Sequence, residues 1–211
     1  MAIREFMGLD VPAFKRFYKD SKKNNVQMKD RCYWAEKDGD SYFCDAYMII
    51  RFKDTTLSQV ARAFDLSFDD LPSEDKPAQN LEKIFFGVKP LEYEPAYISK
   101  WSCACKRGGC KEPGFAKFIT NEKNYCLIDE RFLPPFRGIS PRIKGENTGI
   151  MFQYGFDDAM TAFILPVRLD KESTDIYKAI QSQVMKEVED MKRLWIISSS
   201  LRKIAGSIGN C

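Results

Sequence analysis

The chain has 211 residues, of which 44% are apolar and 30% are charged, with a formal net charge of +3 and no histidine. This composition is typical of a soluble globular protein with one or two domains. The absence of histidine excludes Ser-His and Cys-His catalysis, histidine-liganded zinc and the usual general base near neutral pH. An enzyme with this sequence would depend on carboxylates, lysine, tyrosine or a cysteine-bound metal.

The N-terminus and the cysteines indicate the cellular compartment. Residues 1–14 include Arg4 and Glu5 and lack the apolar core of a signal peptide. No apolar run approaches the roughly 20 residues that a membrane span requires. Seven cysteines, an odd number, favour reduced thiols or a bound metal over a disulfide framework. We therefore expect a cytoplasmic protein that has no membrane partner.

The first predicted element is an amphipathic helix at residues 11–23. Its apolar side chains recur at helical spacing, and lysines and an arginine fill the positions between them. Asp10 precedes the helix as a candidate N-cap, and Pro12 stands in the first turn, where proline is tolerated. The helix is therefore expected to present a basic surface.

A β-hairpin is predicted at residues 31–53. Its two apolar, aromatic strands flank Asp38-Gly39, the dipeptide that a two-residue hairpin turn favours. Asp45 interrupts the second strand. Because a lone buried carboxylate is costly, we expect Asp45 at a bend or bulge, hydrogen-bonded to nearby backbone.

Residues 11–53 resemble a repeat unit of the bacterial sliding clamp, the DNA polymerase processivity factor. A short helix, a strand, the Asp-Gly turn and the strand CDAYMIIR at residues 44–51 carry the resemblance, although the clamp's Gly, His and Arg after the aspartate are replaced. Residues 148–169 end in AFILPVRL, which is similar to the strand that closes a clamp. The resemblance implies a clamp-like fold, lysine and arginine contacts to DNA phosphates, and a role in DNA replication.

The middle of the chain is predicted to be helical and then extended. A helix runs to about Phe64 with Asp54 or Thr55 as its cap, and an acidic loop follows at residues 65–75. Residues 88–97 contain two prolines. Because each proline removes a ladder donor, this segment is expected to be extended or an edge strand.

A cysteine-rich basic insertion is predicted at residues 100–145. Three cysteines in the pattern C-x-C-x4-C flank Gly108-Gly109, a turn that lets several thiolates reach one tetrahedral ion. Cys126 is the nearest candidate for the fourth ligand, with Cys32, Cys44, Cys211 or a carboxylate as alternatives. The predicted zinc ligands are Cys103, Cys105, Cys110 and Cys126. The alternative is a basic loop with free thiols.

Basic residues of the same segment form a candidate nucleic-acid surface, because lysine and arginine interleaved with aromatic residues can track a nucleic-acid strand. The candidate residues are Lys106, Arg107, Lys111, Arg131, Arg137, Arg142 and Lys144. A solvated surface with uneven charge is the alternative. Phe132 and Phe136 either stack on bases or anchor the loop to the core, and the anchoring role is favoured.

The C-terminal part is predicted as two strands and a helix. The strands lie within residues 149–169 and are separated by Asp157-Asp158, which are interpreted as turn residues and not as a metal site. A long amphipathic helix is predicted within residues 171–211. It is a candidate surface for a partner or a second copy of the chain, and the alternative is that it packs across the sheet.

Together these elements predict an α+β fold: a mostly antiparallel sheet with short helices, clamp-like hairpins and a long C-terminal helix. Residues 1–99 form the helix-hairpin-helix part of a single domain, and residues 146–170 form its closing hairpin. The basic insertion at 100–145 lies between them, and the C-terminal helix occupies 171–211.

The predicted function is that of a non-enzymatic, clamp-like protein of DNA transactions, which binds DNA or a DNA-acting protein. One alternative is a protein–protein inhibitor or adaptor that acts through the acidic loop or the C-terminal helix. Another is a zinc-dependent enzyme in which Glu112, Glu122 or Asp129 is the base.

Overall fold

The structure is a computed structural model, and it describes residues 3–25, 32–45, 47–67, 92–106, 113–121, 124–145 and 148–169, together with Lys186, Glu189 and Asp190. These residues form twelve β-strands and two α-helices longer than one turn. The first half comprises β1 (Glu5–Phe6), β2 (Leu9–Asp10), α1 (Val11–Asn25), β3 (Cys32–Lys37), β4 (Asp40–Asp45), β5 (Met48–Phe52) and α2 (Leu57–Phe64). The second half comprises β6 (Glu94–Pro95), β7 (Tyr97–Lys106), β8 (Pro113–Thr120), β9 (Tyr125–Asp129), β10 (Pro141–Ile143), β11 (Ile150–Tyr154) and β12 (Met160–Ile164).

A seven-stranded sheet organises the described residues. Its strand order is β3-β4-β5-β12-β11-β10-β6, and every neighbouring pair is antiparallel. Two meanders, β3-β4-β5 and β10-β11-β12, meet where β5 pairs with β12, with Ile50 opposite Ala162. Strands β7-β8-β9 form a separate three-stranded sheet, and β1-β2 form a small ribbon. Glu94–Pro95 is the edge strand that its proline predicts.

Helix α1 covers one face of the seven-stranded sheet. The carboxylate of Asp10 accepts a 2.8 Å hydrogen bond from the backbone nitrogen of Ala13, which confirms the predicted N-cap. Phe14 is fully buried, and its ring lies 5.3 Å from that of Phe43 and 4.5 Å from that of Phe64 on α2. Such aromatic contacts contribute beyond simple area burial. They fix the position of α1 over the sheet.

The predicted Asp-Gly turn is confirmed, but the predicted second strand is wrong: it is divided into β4 and β5, which pair with each other. Asp38 and Gly39 both have positive φ, 53° and 85°, between the paired strands β3 and β4. This is the backbone sign that the favoured two-residue turn requires. Asp45 is the last residue of β4 and is buried, and its carboxylate accepts from the Ser21 hydroxyl. The predicted backbone partner of this carboxylate is therefore wrong, because its partner is the side chain of Ser21 on α1.

Of two further local predictions, the cap of α2 is wrong and the anchoring of two phenylalanines is confirmed. The cap of α2 is Thr56, which forms a capping box with Gln59, and is neither Asp54 nor Thr55. Phe132 and Phe136 lie in two one-turn 3-10 helices, Glu130–Phe132 and Pro134–Phe136, and both rings are buried in the main core. The anchoring role is therefore confirmed.

The predicted fold class is wrong. The described chain is a mostly antiparallel β structure with two α-helices, and it does not show the long C-terminal helix on which the α+β assignment depended. Apart from Lys186, Glu189 and Asp190, that predicted helix lies outside the described residues. Amphipathic periodicity reports the preference of a segment for helix, whereas its place in a fold depends on tertiary contacts. The acidic loop prediction also falls mostly outside the described residues.

Candidate nucleic-acid interface

A groove of about 550 Å³ lies between α1 and the 3-10 turns that follow β9. Arg16, Asp20 and Lys23 line it from α1, where spacings of four and three residues place them on one face of the helix. Arg131 and Pro134 contribute from the 3-10 turns. The described lining therefore has three cationic side chains and one carboxylate. This balance favours an anionic ligand.

The guanidinium of Arg131 is held in a defined orientation. It lies 3.1 Å from the carboxylate of Asp129, 4.6 Å from the ring centroid of Phe132 and 5.8 Å from that of Tyr47. Asp129 also caps the turn by accepting from the backbone nitrogen of Arg131. The side chain of Arg131 nevertheless keeps 39% of its surface exposed. A guanidinium stacked on aromatic rings is preorganised for planar hydrogen bonding to phosphate or to a base.

An exposed aromatic ring stands beside Arg131. Tyr47, next to the turn between β4 and β5, has 46% of its surface exposed. Its carbonyl oxygen accepts a 2.8 Å hydrogen bond from the backbone nitrogen of Leu165, which ties the turn to the segment after β12. An exposed tyrosine beside a cation is the combination on which bases of single-stranded nucleic acids stack.

The cations of α1 are available to a ligand. Arg16 and Lys23 are exposed, and neither forms an ion pair in the part of the chain that the structure describes. Ser21, at the base of the same groove, is buried and anchors this end of α1 to Asp45. Neither Arg16 nor Lys23 was among the candidate residues. The signal that could have found them is the run of basic residues in the predicted helix.

The structure separates the sequence-predicted nucleic-acid residues. Arg142 donates two hydrogen bonds to the carbonyl oxygen of Tyr93, at 3.0 and 2.7 Å. Lys144 is paired with Glu92. Arg131 lines the groove on α1, whereas Arg137 is exposed at a different groove and forms no ion pair within the described ranges. The side chain of Lys106, and all of Arg107 and Lys111, lie outside the described residues. Nucleic-acid binding by this set stays a prediction.

The predicted zinc ligands are not brought together where their side chains are described. Cys103 on β7 packs with Phe118, whereas Cys126 on β9 belongs to the main core together with Ile119. Because Phe118 and Ile119 are consecutive in a strand, the two cysteines lie on opposite faces of the three-stranded sheet. The described residues contain no group of three or more metal-ligating side chains.

The oxidation state also bears on the zinc prediction. Cys103 is disulfide-bonded, and its partner lies outside the described side chains. A disulfide sulfur is not a thiolate and cannot serve as the predicted zinc ligand. The side chain of Cys105, and all of Cys110, lie outside the described residues. Zinc binding therefore stays a prediction that concerns the reduced protein.

The thiols of Cys32 and Cys44 are poor nucleophiles. Burial raises the pKa of Cys32 to about 12, and the nearby carboxylate of Asp45 adds to this rise. Burial also raises the pKa of Cys44, to about 11. Because the thiolate is the reactive form, both side chains stay protonated and unreactive near neutral pH.

No family model, curated protein or solved structure matches this chain. The clamp resemblance therefore stays a prediction. Among the described helices, none combines the length and the apolar character needed to cross a membrane.

Proposed function

We propose that this protein is a non-enzymatic protein of DNA transactions that holds single-stranded nucleic acid in the groove between α1 and Arg131. The observation that carries the proposal is the convergence of Arg16, Lys23 and Arg131 on one groove, beside the exposed ring of Tyr47. Cations contact phosphates, and stacking on an aromatic ring or a guanidinium holds a base without reading its sequence.

The shape of the site favours a single strand over a duplex. Proteins read duplex DNA by placing a helix or a β-ribbon in the major groove. Here α1 buries Phe14, Phe17 and Tyr18 against the sheet, so only its polar side faces solvent. A groove beside that helix, with the exposed ring of Tyr47 near Arg131, suits one sugar-phosphate chain with unstacked bases.

The non-enzymatic part of the proposal is supported by how the buried carboxylates are engaged. Asp40 pairs with Arg51 at 2.6 Å, Asp45 accepts from Ser21, and Asp129 is paired with Arg131. Each of these groups has a structural partner and is poorly placed to act as a general base. Of the three bases considered for a zinc enzyme, Glu112 and Glu122 lie outside the described residues.

Fluorescence anisotropy with a labelled oligothymidylate tests the proposal. Three phosphate contacts predict that affinity for the single strand falls about twentyfold between about 50 and 200 mM salt. The double variant Arg16→Glu, Lys23→Glu should lose most of the binding and flatten the salt dependence. Arg62→Glu on the exposed side of α2 is the matched control and should bind like the wild type.

Two results would contradict the proposal. One is the absence of binding to the single strand at the lower salt concentration. The other is an equal loss of affinity in Arg62→Glu and in the groove variant. A duplex of the same length, measured in parallel, should bind more weakly than the single strand.

The adaptor function, the clamp-like ring and the cytoplasmic location are supported by fewer described contacts. The adaptor function depends on the acidic loop, of which residues 68–75 are not described, and on the C-terminal segment, which also carries the proposed homo-oligomer contact. A clamp-like ring follows from the sequence resemblance alone. A cytoplasmic location is supported by the reduced thiols of Cys32, Cys44 and Cys126 and opposed by the disulfide at Cys103. Cell fractionation would test it.

A further inference from the structure

The turn between β11 and β12 presents an unusually exposed aromatic side chain. Phe156 has 99% of its surface exposed, so its ring contributes nothing to the core. The residues around it, Gly155, Asp157 and Asp158, all have positive φ. A non-glycine residue in this conformation is uncommon, and two in succession mark a turn that the surrounding structure imposes.

The base of this turn is fixed to the body of the protein. Lys53, which follows β5, is paired with the carboxylate of Asp157 at 2.5 Å, and its backbone nitrogen donates to the carbonyl oxygen of Ala159 at 2.9 Å. The Phe156 ring therefore projects from a supported turn. A preorganised aromatic side chain loses little conformational entropy on binding and is a common anchor at protein interfaces.

A second groove, of about 260 Å³, is lined by both apolar and polar residues. Its apolar lining includes Ala96, Ile98, Ile139 and Pro141, and Ile98 is 40% exposed. A cavity of about 150 Å³ already admits a benzene ring, so this groove has room for one phenyl group. Arg137 also lines it and forms no ion pair in the part of the chain that the structure describes.

The turn and this groove lie at the same end of the seven-stranded sheet. Pro141 pairs with Phe152, near the end of β11 that leads into the turn. The loop at Gly8 lies between the turn and the groove. A Cβ added to Gly8 would meet the ring of Tyr154, which is next to the turn. A Cβ added to Gly138, in the lining of the groove, would lie 3.9 Å from the carbonyl oxygen of Gly8. When two copies of the chain face each other at this end, the turn of each copy can therefore contact the groove of the other.

We propose that the protein forms a reciprocal dimer in which Phe156 of each copy enters the groove of the other and packs on its apolar residues beside Arg137. Asp158, which is exposed and lies two residues after Phe156, then faces the guanidinium of Arg137. The second copy is the favoured occupant because one chain carries both the exposed ring, with a carboxylate two residues away, and the groove, with apolar residues beside a cation. A nucleic acid would be repelled by the exposed carboxylate of Asp158. The contact does not involve the groove on α1 and stands independently of the proposed function.

Sedimentation velocity of the full chain across a wide concentration series tests the dimer. The wild type should shift from monomer to dimer as its concentration rises. Phe156→Ser should weaken the dimer about thirtyfold or more, the loss typical of a central aromatic anchor. Phe115→Ser is the matched control because Phe115 is also an exposed phenylalanine, 66% exposed, but lies on the three-stranded sheet. It should dimerise like the wild type.

Exchanging the charges of Arg137 and Asp158 tests the proposed ion pair between the two copies. Arg137→Glu and Asp158→Arg should each weaken the dimer, and the double variant should recover it because the two copies again present opposite charges. A wild type that stays monomeric at every concentration overturns the proposal and leaves Phe156 for a different protein. A dimer that survives Phe156→Ser, or a ladder of higher oligomers in place of a dimer, also overturns it.

Discussion

Ser21 on α1 donates a hydrogen bond of 2.5 Å to the carboxylate of Asp45 at the end of β4, and both side chains are buried. This contact joins the C-terminal half of the helix to the sheet, directly beneath the groove that Arg16, Lys23 and Arg131 line. It therefore links the stability of the fold to the geometry of the candidate site.

Ser21→Ala removes the partner of this buried carboxylate. Leaving the carboxylate oxygen unsatisfied should lower the free energy of unfolding by about 1–3 kcal/mol. Urea denaturation measures the change. Ser58→Ala, at an exposed position of α2, is the control and should change the stability by no more than about 0.5 kcal/mol. Equal effects of the two substitutions would show that the hydrogen bond makes no net contribution.

A comparison of Gly8 and Gly39 separates the cost of backbone strain from the cost of a steric clash. Both have positive φ, 76° and 85°, but an added Cβ at Gly8 would fall on the ring of Tyr154, whereas at Gly39 it meets open space. Gly39→Ala should cost only the backbone strain, about 1–2 kcal/mol. Gly8→Ala adds a steric clash and should cost more, by about 1–3 kcal/mol. Thermal or urea unfolding of the two variants in parallel measures the difference, and a smaller cost at Gly8 would contradict the packing of Tyr154 against this loop.

The raised pKa of Cys32 predicts slow reaction with thiol reagents. The pKa of Cys32 is about 12 in the folded protein, against an ordinary value of 9.0, so its thiolate fraction at pH 8 is about a thousandfold lower. A thiol reagent should therefore modify Cys32 very slowly in the native state and rapidly in urea. Mass spectrometry after short labelling identifies the modified residue. Rapid native labelling of Cys32 would contradict the raised pKa of this partly buried thiol.

The same shift sets the sign of a stability change. Above pH 9 the unfolded chain loses the thiol protons that the folded chain keeps on Cys32 and Cys44, so the unfolded state binds fewer protons and stability falls as pH rises. The contribution is fully present below pH 9 and is lost as the pH rises through the folded values of about 12 and 11. Replacing Cys44 with alanine should flatten the alkaline part of the stability profile.

Arg131 and Arg142 were predicted together, but the structure gives them different surroundings. Arg131→Ala should weaken binding of the oligothymidylate about tenfold, since it removes one phosphate or base contact. Arg142→Ala should leave that affinity unchanged and instead lower stability by about 1–3 kcal/mol, because the carbonyl oxygen of Tyr93 loses a charged donor. Binding and urea titrations on both variants decide the matter. A loss of affinity in Arg142→Ala at full stability would contradict the assignment.

Local elements were predictable because short-range chemistry specifies them. The turn at Asp38-Gly39 needs positive φ at both positions, and the cap at Asp10 needs only a carboxylate ahead of a helix. Phe132 and Phe136 are large and apolar, so their burial follows from the hydrophobic effect whatever the path of the loop. The basic character of α1 was also visible in the sequence, although its role in a groove was not.

The sequence by itself determined the absence of histidine chemistry, the Asp-Gly turn and the basic character of the first helix. Only the tertiary structure decided that β5 pairs with β12, that Ser21 meets Asp45, and that Arg131 joins the cations of α1 while Arg142 turns to a backbone carbonyl. The physical reason is the separation in sequence between the residues that interact. Turns and caps depend on neighbours along the chain, whereas these contacts join residues far apart in sequence, and the packing of the whole sheet selects them.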